Sequence, residues 1–386
     1  MPLYLSTLLH ENRFSFEQAG ASADGKSLSA IPICKMKASG EKDKSIKIMV
    51  RFGIVGFGLH AVRRLMPGFV LARSCRVTAL SRRDMAKARE SAEHYKIPFA
   101  FDSAEELCRS SEVDAVLVTT PNSLHLPDVL TAIAHGKPVL CEKPMGMNAD
   151  ECRQMVEAAR EAGVLLGVAQ VFRFEDSTAR LRDRLAAGQI GRVIFARSEF
   201  SYPAGTHPRK WLTDPALAGG GPIADVGVHC VDALRFILHD EVVRVTARGM
   251  WDAASGGVEA AAILSLEFSR GILGAVLVSM RSEYRTPIEF IGETGVLRAD
   301  DGLNVERPIN LQLRRDGNVI ENEVVSNQFA YARQVDMFSA AVRREANFPA
   351  PGEEGWQNQE ILDAAFRSLT SGKAEEVPRI PIRAGS

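Results

Sequence analysis

The sequence predicts an α/β domain built on a parallel sheet, followed by an α+β domain with a mostly antiparallel sheet. Three observations carry this. From Val50 to Ala169, short apolar runs alternate with stretches of helical periodicity, the pattern of βαβ units. The first apolar run ends in a glycine-rich turn, Gly56-Phe57-Gly58-Leu59-His60-Ala61. After about Phe172 strand-like runs follow one another, punctuated by turns such as Arg270-Gly271 and Asp316-Gly317, as in an antiparallel meander.

In order, Val50–Val55 is an apolar strand, and the helix after the glycine turn is expected to kink or end at Pro67. Arg76–Leu80 is a second strand, Met85–His94 a helix and Ser103–Arg109 a short helix. Ala115–Thr119 is a strand, Leu124–His135 a helix, Val139–Cys141 a strand, Ala149–Ala162 a helix, and Val164–Ala169 the last strand of the series. In the second half, helices are expected at Thr178–Ala187 and Val231–Leu238. Strands are expected at Val193–Phe200, Val242–Gly249, Ala260–Phe268, Ile272–Val278, Ile288–Ile291, Leu311–Leu313 and Val319–Val325, with helices near Phe329–Arg344 and Glu354–Leu369. The domain boundaries follow: 1–48, rich in Ser, Ala, Gly and Lys, is a poorly ordered extension. Residues 49–171 form the first domain and 172–386 the second, whose C-terminal helices can pack back on the first. Met49 stands directly before the first strand and is a candidate translation start.

At 386 residues the chain exceeds one ordinary core. Hydrophobic residues make up 46% and charged residues 25%, and the net charge is -1, which argues against a nucleic-acid or membrane-surface binder. No apolar run approaches a membrane span. Cys34, Cys75, Cys108, Cys141, Cys152 and Cys230 are scattered without CxxC spacing or a Cys/His cluster, so no metal site and a reduced, cytoplasmic protein are expected. Nothing at the N-terminus resembles a secretory signal.

GxGxxA between a strand and a helix is the turn of a Rossmann dinucleotide-binding domain. Gly56 permits the tight turn, Gly58 lets the backbone approach a pyrophosphate, and Ala61 keeps helix and sheet close. Phe57, Leu59 and His60 share that loop. The helix N-terminus offers free N–H groups to phosphate. The second strand ends Ser81-Arg82-Arg83 without the acid that binds an NAD ribose, and Asp84 suits the next helix's N-cap. Ser81 and Arg82 suit a 2′-phosphate, which favours NADP over NAD. The other reading of Arg82 is a solvated surface charge.

The strand Val139–Cys141 runs straight into Glu142-Lys143-Pro144. An acid and a base at the carboxyl end of a buried strand suggest a site, because unpaired buried charge is costly. Asp225 and His229 stand four apart and, if helical, share a face. A histidine can exchange a proton near neutrality.

Together the glycine loop, the run from Thr119-Thr120-Pro121-Asn122-Ser123-Leu124-His125 to Glu142-Lys143-Pro144, and Gly219-Gly220-Gly221-Pro222-Ile223-Ala224-Asp225-Val226-Gly227-Val228-His229 resemble the Gfo/Idh/MocA family of oxidoreductases. The resemblance runs from about Met49 to the C-terminus. It implies an NAD(P)-dependent dehydrogenase or reductase acting on a sugar, cyclic polyol or derivative. It places Lys143 beside the nicotinamide and the reacting oxygen, with Glu142 holding it and the Lys143–Pro144 bond often cis. It makes His229 the general acid/base with Asp225 its partner, and both, with Lys143, substrate contacts. It sets Thr119, Thr120, Pro121, Asn122 and His125 around the cofactor, with Asn122 and His125 at the ribose and Arg173 near the nicotinamide. For Arg173 a salt bridge to Glu175 or Asp176 is the other reading. Lys210-Trp211 resembles the family's Trp-Arg element, with Trp211 near substrate, but Leu212 replaces the arginine. Tyr284 and Arg285 are open candidates for the pocket wall. A homo-oligomer through the exposed sheet face is implied as well. Two rival readings share the fold: a non-catalytic regulator that binds cofactor or sugar, and a redox-assisted glycoside hydrolase.

Overall fold

The computed structural model describes residues 49–205 and 210–380. The expected extension over 1–48 lies outside the described residues. Six strands form the first sheet: β1 (Val50–Val55), β2 (Cys75–Ser81), β3 (Phe99–Phe101), β4 (Ala115–Val118), β5 (Val139–Cys141) and β6 (Leu166–Val168). Their order is β3-β2-β1-β4-β5-β6 and every pairing is parallel, the arrangement of a Rossmann domain. β4, β5 and β6 are buried along their whole length, which is why they read as unbroken apolar runs. β3 escaped the sequence reading because it is three residues long and only partly buried.

The strand order reverses between β1 and β4, and the carboxyl ends there open a crevice for ligands. Gly56 follows β1, Thr119 follows β4, and Glu142 and Lys143 follow β5. The fold thus gathers three distant sequence motifs at one edge. Pro67 does not end the first helix, contrary to expectation. The helix runs to Leu71 and its irregularity comes earlier, a π-turn over Ala61–Leu65. Pro67 follows closely on that π-turn, whose shifted hydrogen bonding accommodates a residue without an N–H.

The second sheet has nine strands: β7 (Val193–Ser201), β8 (Val242–Met250), β9 (Ala261–Phe268), β10 (Leu273–Ser279), β11 (Ile288–Gly292), β12 (Val296–Ala299), β13 (Pro308–Arg315), β14 (Asn318–Ser326) and β15 (Glu375–Glu376). All pairings are antiparallel except that of β7 with β10. Along β9 and β13 buried residues alternate with more exposed ones, so one face packs on a core and the other does not. The helices Val228–Leu238 and Gly352–Ser371 supply Leu234, Ile237, Ile361 and Leu362 to that core. The helix Ala330–Val342 returns to the first domain, where Val335 and Phe338 join the core around Phe52. Asp336 on the same helix accepts the backbone N–H groups of Arg73 and Ser74.

Candidate active site

A cavity of about 290 Å³ lies where the carboxyl ends of the parallel strands meet the second sheet. Lys143, Asp225 and His229 all line it, together with Tyr202, Tyr284 and Glu306. A larger cavity of about 500 Å³ sits at the opposite end of the parallel sheet, around Gly136, Leu166 and Phe348, away from these residues.

Lys143 is carried by the bend after β5, and the Lys143–Pro144 bond is cis, as the resemblance implies. Its Nζ donates to the carbonyl oxygen of Asp225 at 2.7 Å and lies 3.5 Å from Asp225 Oδ1. Both side chains are about nine-tenths buried, at 12% and 8% exposure. Glu142 has a different role from the one expected. Its carboxylate accepts Lys143's own backbone N–H at 3.2 Å and faces His60 Nε2 at 2.8 Å, while the ammonium turns to Asp225. Burial alone would raise the Glu142 carboxyl, but the charge and hydrogen bond of His60, then Lys143, hold it below the usual carboxylate range.

Asp225 and His229 do not form the pair their spacing suggests. The segment Ile223–Gly227 is a π-turn that precedes the α-helix Val228–Leu238. Both side chains nevertheless line the same cavity. Among the described residues, Asp225 Oδ2 accepts the Tyr202 hydroxyl at 2.7 Å, and no hydrogen bond joins Asp225 to His229. The His229 ring packs against Phe172, with centroids 4.6 Å apart, and stacks near Phe200 at 6.1 Å. Its Nδ1 is buried with no partner among the described residues, which leaves Nε2 as the nitrogen with access to the cavity. Burial, then the neighbouring Lys143 charge, pushes the imidazole well below its ordinary pKa, with Asp225 opposing weakly, so the ring is neutral at neutral pH.

The segment that carries both residues is fixed by a carboxylate that the sequence reading missed. Glu259, 3% exposed, accepts the backbone N–H groups of Gly221 at 3.0 Å and Ile223 at 2.8 Å. It satisfies two of the donors that a helix start leaves open. Tyr202 was also missed. Both lie outside the glycine-rich and Glu-Lys-Pro segments, and only the folded geometry brings them in. A tyrosine just beyond an apolar strand was the one available signal, and it does not tell a site from a sheet edge.

The glycine loop fits a dinucleotide. Gly56 has φ +82°, and a Cβ there would meet Thr120 at 2.6 Å. A Cβ on Gly58 would meet nothing closer than 3.6 Å, so the space over it is open to a phosphate. Leu59 and His60 begin the helix whose free N–H groups face that space. Phe57 is a core residue whose ring lies tilted against Tyr95, and its amide is pinned to Ser81 O at 3.0 Å. Ser81 is buried at the end of β2, and Arg82 donates to Ser91 at 2.9 Å. Asp84 caps the next helix through the amides of Ala86 and Lys87, as expected.

The loop after β4 is held by its own side chains. Thr119 donates to Gly56 O at 2.8 Å and Thr120 to Asp128 at 2.7 Å, while Pro121 leads into the short turn Asn122–Leu124. Asn122 and His125, expected at the ribose, turn inward instead. Asn122 donates to Ala218 O at 2.8 Å, and the buried His125 ring lies 2.9 Å from the carbonyl oxygens of both Pro144 and Thr120. They shape the loop from beneath. Arg173 is a clear correction. Its guanidinium, 3% exposed, binds Asp232, Glu354 and the Pro349 carbonyl, so it serves the second domain's interior and not a nicotinamide. Nor are its partners Glu175 and Asp176: Asp176 pairs with Arg333. Trp211 lies in the turn Lys210–Thr213 and is absent from the cavity wall. Tyr284 does line the cavity, whereas Arg285 is exposed and faces Glu199 at 3.7 Å.

Residues 50–170 match the family described as an oxidoreductase family with an NAD-binding Rossmann fold, and residues 178–298 match the GFO/IDH/MocA C-terminal domain. The chain belongs to the Gfo/Idh/MocA family. A 1,5-anhydro-D-fructose reductase of Ensifer adhaerens is 31% identical over 334 residues, 85% of this chain and 99% of that protein. A D-xylose 1-dehydrogenase (NADP(+)) of Haloferax volcanii is 31% identical over 84% of this chain and 99% of its own length. The crystal structure of the aldose-aldose oxidoreductase of Caulobacter crescentus, complexed with glycerol, superposes with a TM-score of 0.79 at 25% identity, covering 85% of this chain and 99% of that one. Among Gfo/Idh/MocA features, the cis bond after Lys143 and the glycine loop are present in this chain, and its Asp225 and His229 line one cavity.

Proposed function

We propose that the chain is an NAD(P)-dependent oxidoreductase moving a hydride between the nicotinamide and a hydroxyl- or carbonyl-bearing carbon of a sugar, cyclic polyol or derivative. The observation that carries this reading is the convergence of Lys143, Asp225 and His229 in one cavity beside the open glycine loop. The names of the relatives, a sugar dehydrogenase and an anhydrosugar reductase, point to the same substrate class.

The bound nicotinamide supplies the hydride chemistry. Gly56, Phe57, Gly58 and the start of the following helix hold its pyrophosphate, and Ser81 with Arg82 receive a 2′-phosphate. NADP is therefore preferred over NAD, since no acid stands at the end of β2 to repel that phosphate. Lys143 points its ammonium into the cavity and stabilises negative charge on the reacting oxygen. Neutral His229 takes the hydroxyl proton at Nε2 during oxidation and returns it during reduction. Asp225 anchors Lys143 at the carbonyl and carboxylate.

Two wider parts of the reading have support in the same structure. Phe195, Leu273, Leu277 and Ile263 are exposed on the outer face of the second sheet, and Leu273 pairs with Phe195 and Leu277 with Ile263. That contiguous apolar strip suits a homo-oligomer. Cys75, Cys108, Cys141, Cys152 and Cys230 are free and buried, in keeping with a reducing cytoplasm. No helix among the described residues is long and apolar enough to cross a membrane.

Turnover of NADP(H) and NAD(H) with a panel of aldoses, anhydrosugars and inositols tests the proposal. Sugar-dependent turnover faster with NADP(H) is expected. A clear NAD(H) preference overturns the cofactor assignment. Tight cofactor binding with no turnover on any substrate replaces the enzyme with the regulator.

A further inference from the structure

Tyr202 stands one residue beyond β7 and belongs to none of the glycine, Glu-Lys-Pro or Asp/His motifs. Its backbone is nevertheless locked. Its amide donates to Ser279 O at 2.9 Å, continuing the parallel pairing of β7 with β10, and Ser201 before it exchanges two hydrogen bonds with Arg285. The ring packs half-buried against the second core. From this held strand end the hydroxyl reaches the cavity wall, where it donates to Asp225 Oδ2 at 2.7 Å.

Asp225 is the link. Its other carboxylate oxygen lies 3.5 Å from Lys143 Nζ, and its carbonyl accepts that ammonium at 2.7 Å. The two contacts to Lys143 therefore depend on how the Asp225 side chain and backbone are turned. The backbone is set by the π-turn Ile223–Gly227. The carboxylate could rotate about its own bonds, and a short hydrogen bond to one oxygen fixes the plane of the other. Three elements thus meet in sequence: the end of β7 holds Tyr202, the π-turn holds Asp225, and the bend after β5 holds Lys143.

We propose that Tyr202 is a positioning residue: its hydroxyl orients the Asp225 carboxylate, which in turn fixes the Lys143 ammonium against the reacting oxygen. The inference rests on the assignment of Lys143 made above. It gives Asp225 a role toward the lysine and assigns the sequence-adjacent histidine no part in orienting it. Packing alone would need only the ring. The hydroxyl, pointed at a carboxylate inside the cavity, is the part that a structural role leaves unexplained.

The test is Tyr202→Phe, which keeps the ring and removes the hydroxyl. With the sugar that wild type turns over fastest, kcat and kcat/KM are each expected to fall about tenfold, with KM within about twofold, as for an interaction made in the transition state. NADPH affinity and the melting temperature stay near wild type. In an Asp225→Asn background the same substitution is expected to cost less than about twofold, because its route to Lys143 is already broken. Competitive acetylation of Lys143, read by mass spectrometry, gives a readout free of substrate: labelling is expected to rise about threefold in Tyr202→Phe as the ammonium is released. Lys143→Ala separates two kinds of failure. If Lys143→Ala retains activity, the catalytic reading falls and the role of Tyr202 falls with it. If Lys143→Ala is crippled while Tyr202→Phe matches wild type in kcat and in Lys143 labelling, or if its loss is the same in the Asp225→Asn background, only the Tyr202 proposal is overturned.

Discussion

Asp225 and His229, four residues apart, line one cavity with no hydrogen bond between them among the described residues: Asp225 faces Tyr202 and Lys143, and His229 is set against Phe172. A direct hydrogen bond between them would make a dyad in which the carboxylate raises the basicity of the imidazole further. In the reading proposed above they act on separate atoms of the site. His229→Ala and Lys143→Ala are each expected to lower turnover by at least about a hundredfold. Asp225→Asn keeps the shape and is expected to act through the lysine. Its loss should largely overlap with that of Lys143→Ala in the double variant and be additive with His229→Ala. Steady-state kinetics of the three single variants and two double variants decide it, and full overlap of Asp225 with His229 would restore the dyad.

The second prediction concerns the charge on His229. Burial and the Lys143 ammonium depress its pKa well below 6.5, so protonation moves to more acid pH and the imidazole stays neutral as pH falls from 8 to 6. In a ¹⁵N-histidine-labelled sample, the signals that vanish in His229→Asn should show a neutral ring throughout that range. Correspondingly, the acid limb of kcat/KM should not centre near 6.5. A His229 signal titrating at the ordinary value would show a solvated or carboxylate-paired ring.

Much of this site was legible before folding. Gly56 and Gly58 declare themselves because a positive φ and an open approach leave little choice of residue, and Lys143 because a charge at the end of an apolar strand has few structural uses. Five of the six parallel strands were read to within two residues, since burial makes them largely continuous apolar runs, and the half-exposed β3 was not. β12 and β15 were missed: each is four residues or fewer and takes its identity from its partner strand. The partnership of Asp225 failed for a different reason. Spacing puts Asp225 and His229 on one side of their segment, but the partners Asp225 takes, Tyr202 and Lys143, come from other elements. Arg173 failed similarly: an arginine after the last parallel strand gives no sign that Asp232 and Glu354, far along the chain, will enclose it.

That enclosure yields a stability prediction. Burial alone would raise the Glu354 carboxyl, but the guanidinium groups of Arg173 and Arg235 pull its pKa from 4.5 down to about 2. A carboxylate depressed in the folded state adds stability above its unfolded pKa, and that stability is lost as pH falls toward the folded value. The contribution is on the order of 3 kcal/mol at neutral pH. Glu354→Gln should therefore be less stable than wild type at pH 7, with the gap closing between about pH 4.5 and 2. Urea midpoints of both proteins across that window check the sign. A gap independent of pH would mean that the glutamate acts by packing alone.

Access to the cavity offers another test. Arg64, on the helix after the glycine loop, pairs with Glu306, on the loop between β12 and β13, so the ion pair spans the two domains at the cavity wall. Arg64 is 37% exposed and Glu306 61%, so the pair adds little to stability and is screened by salt. Arg64→Ala is expected to leave the melting temperature within about 2 °C while raising the sugar KM several-fold, and to abolish most of the dependence of KM on salt. An unchanged KM at low and high ionic strength would show that the bridge has no bearing on substrate entry.

The last prediction returns to the carboxylate beneath the site. Glu259 accepts two backbone N–H groups, those of Gly221 and Ile223, at the head of the segment that carries Asp225 and His229. Gly221 must remain glycine because a Cβ there would lie 2.1 Å from the Glu259 carbonyl oxygen, a backbone atom that cannot step aside. Glu259→Gln keeps the length but offers only one acceptor, and its amide N–H₂ then confronts a second donor. The loss of one buried, charge-assisted hydrogen bond is expected to cost about 1–3 kcal/mol of stability. The glycine loop proposed to hold the pyrophosphate lies on other elements, after β1, so NADPH affinity should hold within about twofold. Turnover should fall more than stability alone explains, because the π-turn that aims Asp225 at Lys143 starts at the two amides that Glu259 holds. Calorimetry, cofactor titration and kcat on one preparation test this pattern, and equal losses of NADPH affinity and turnover would count against it.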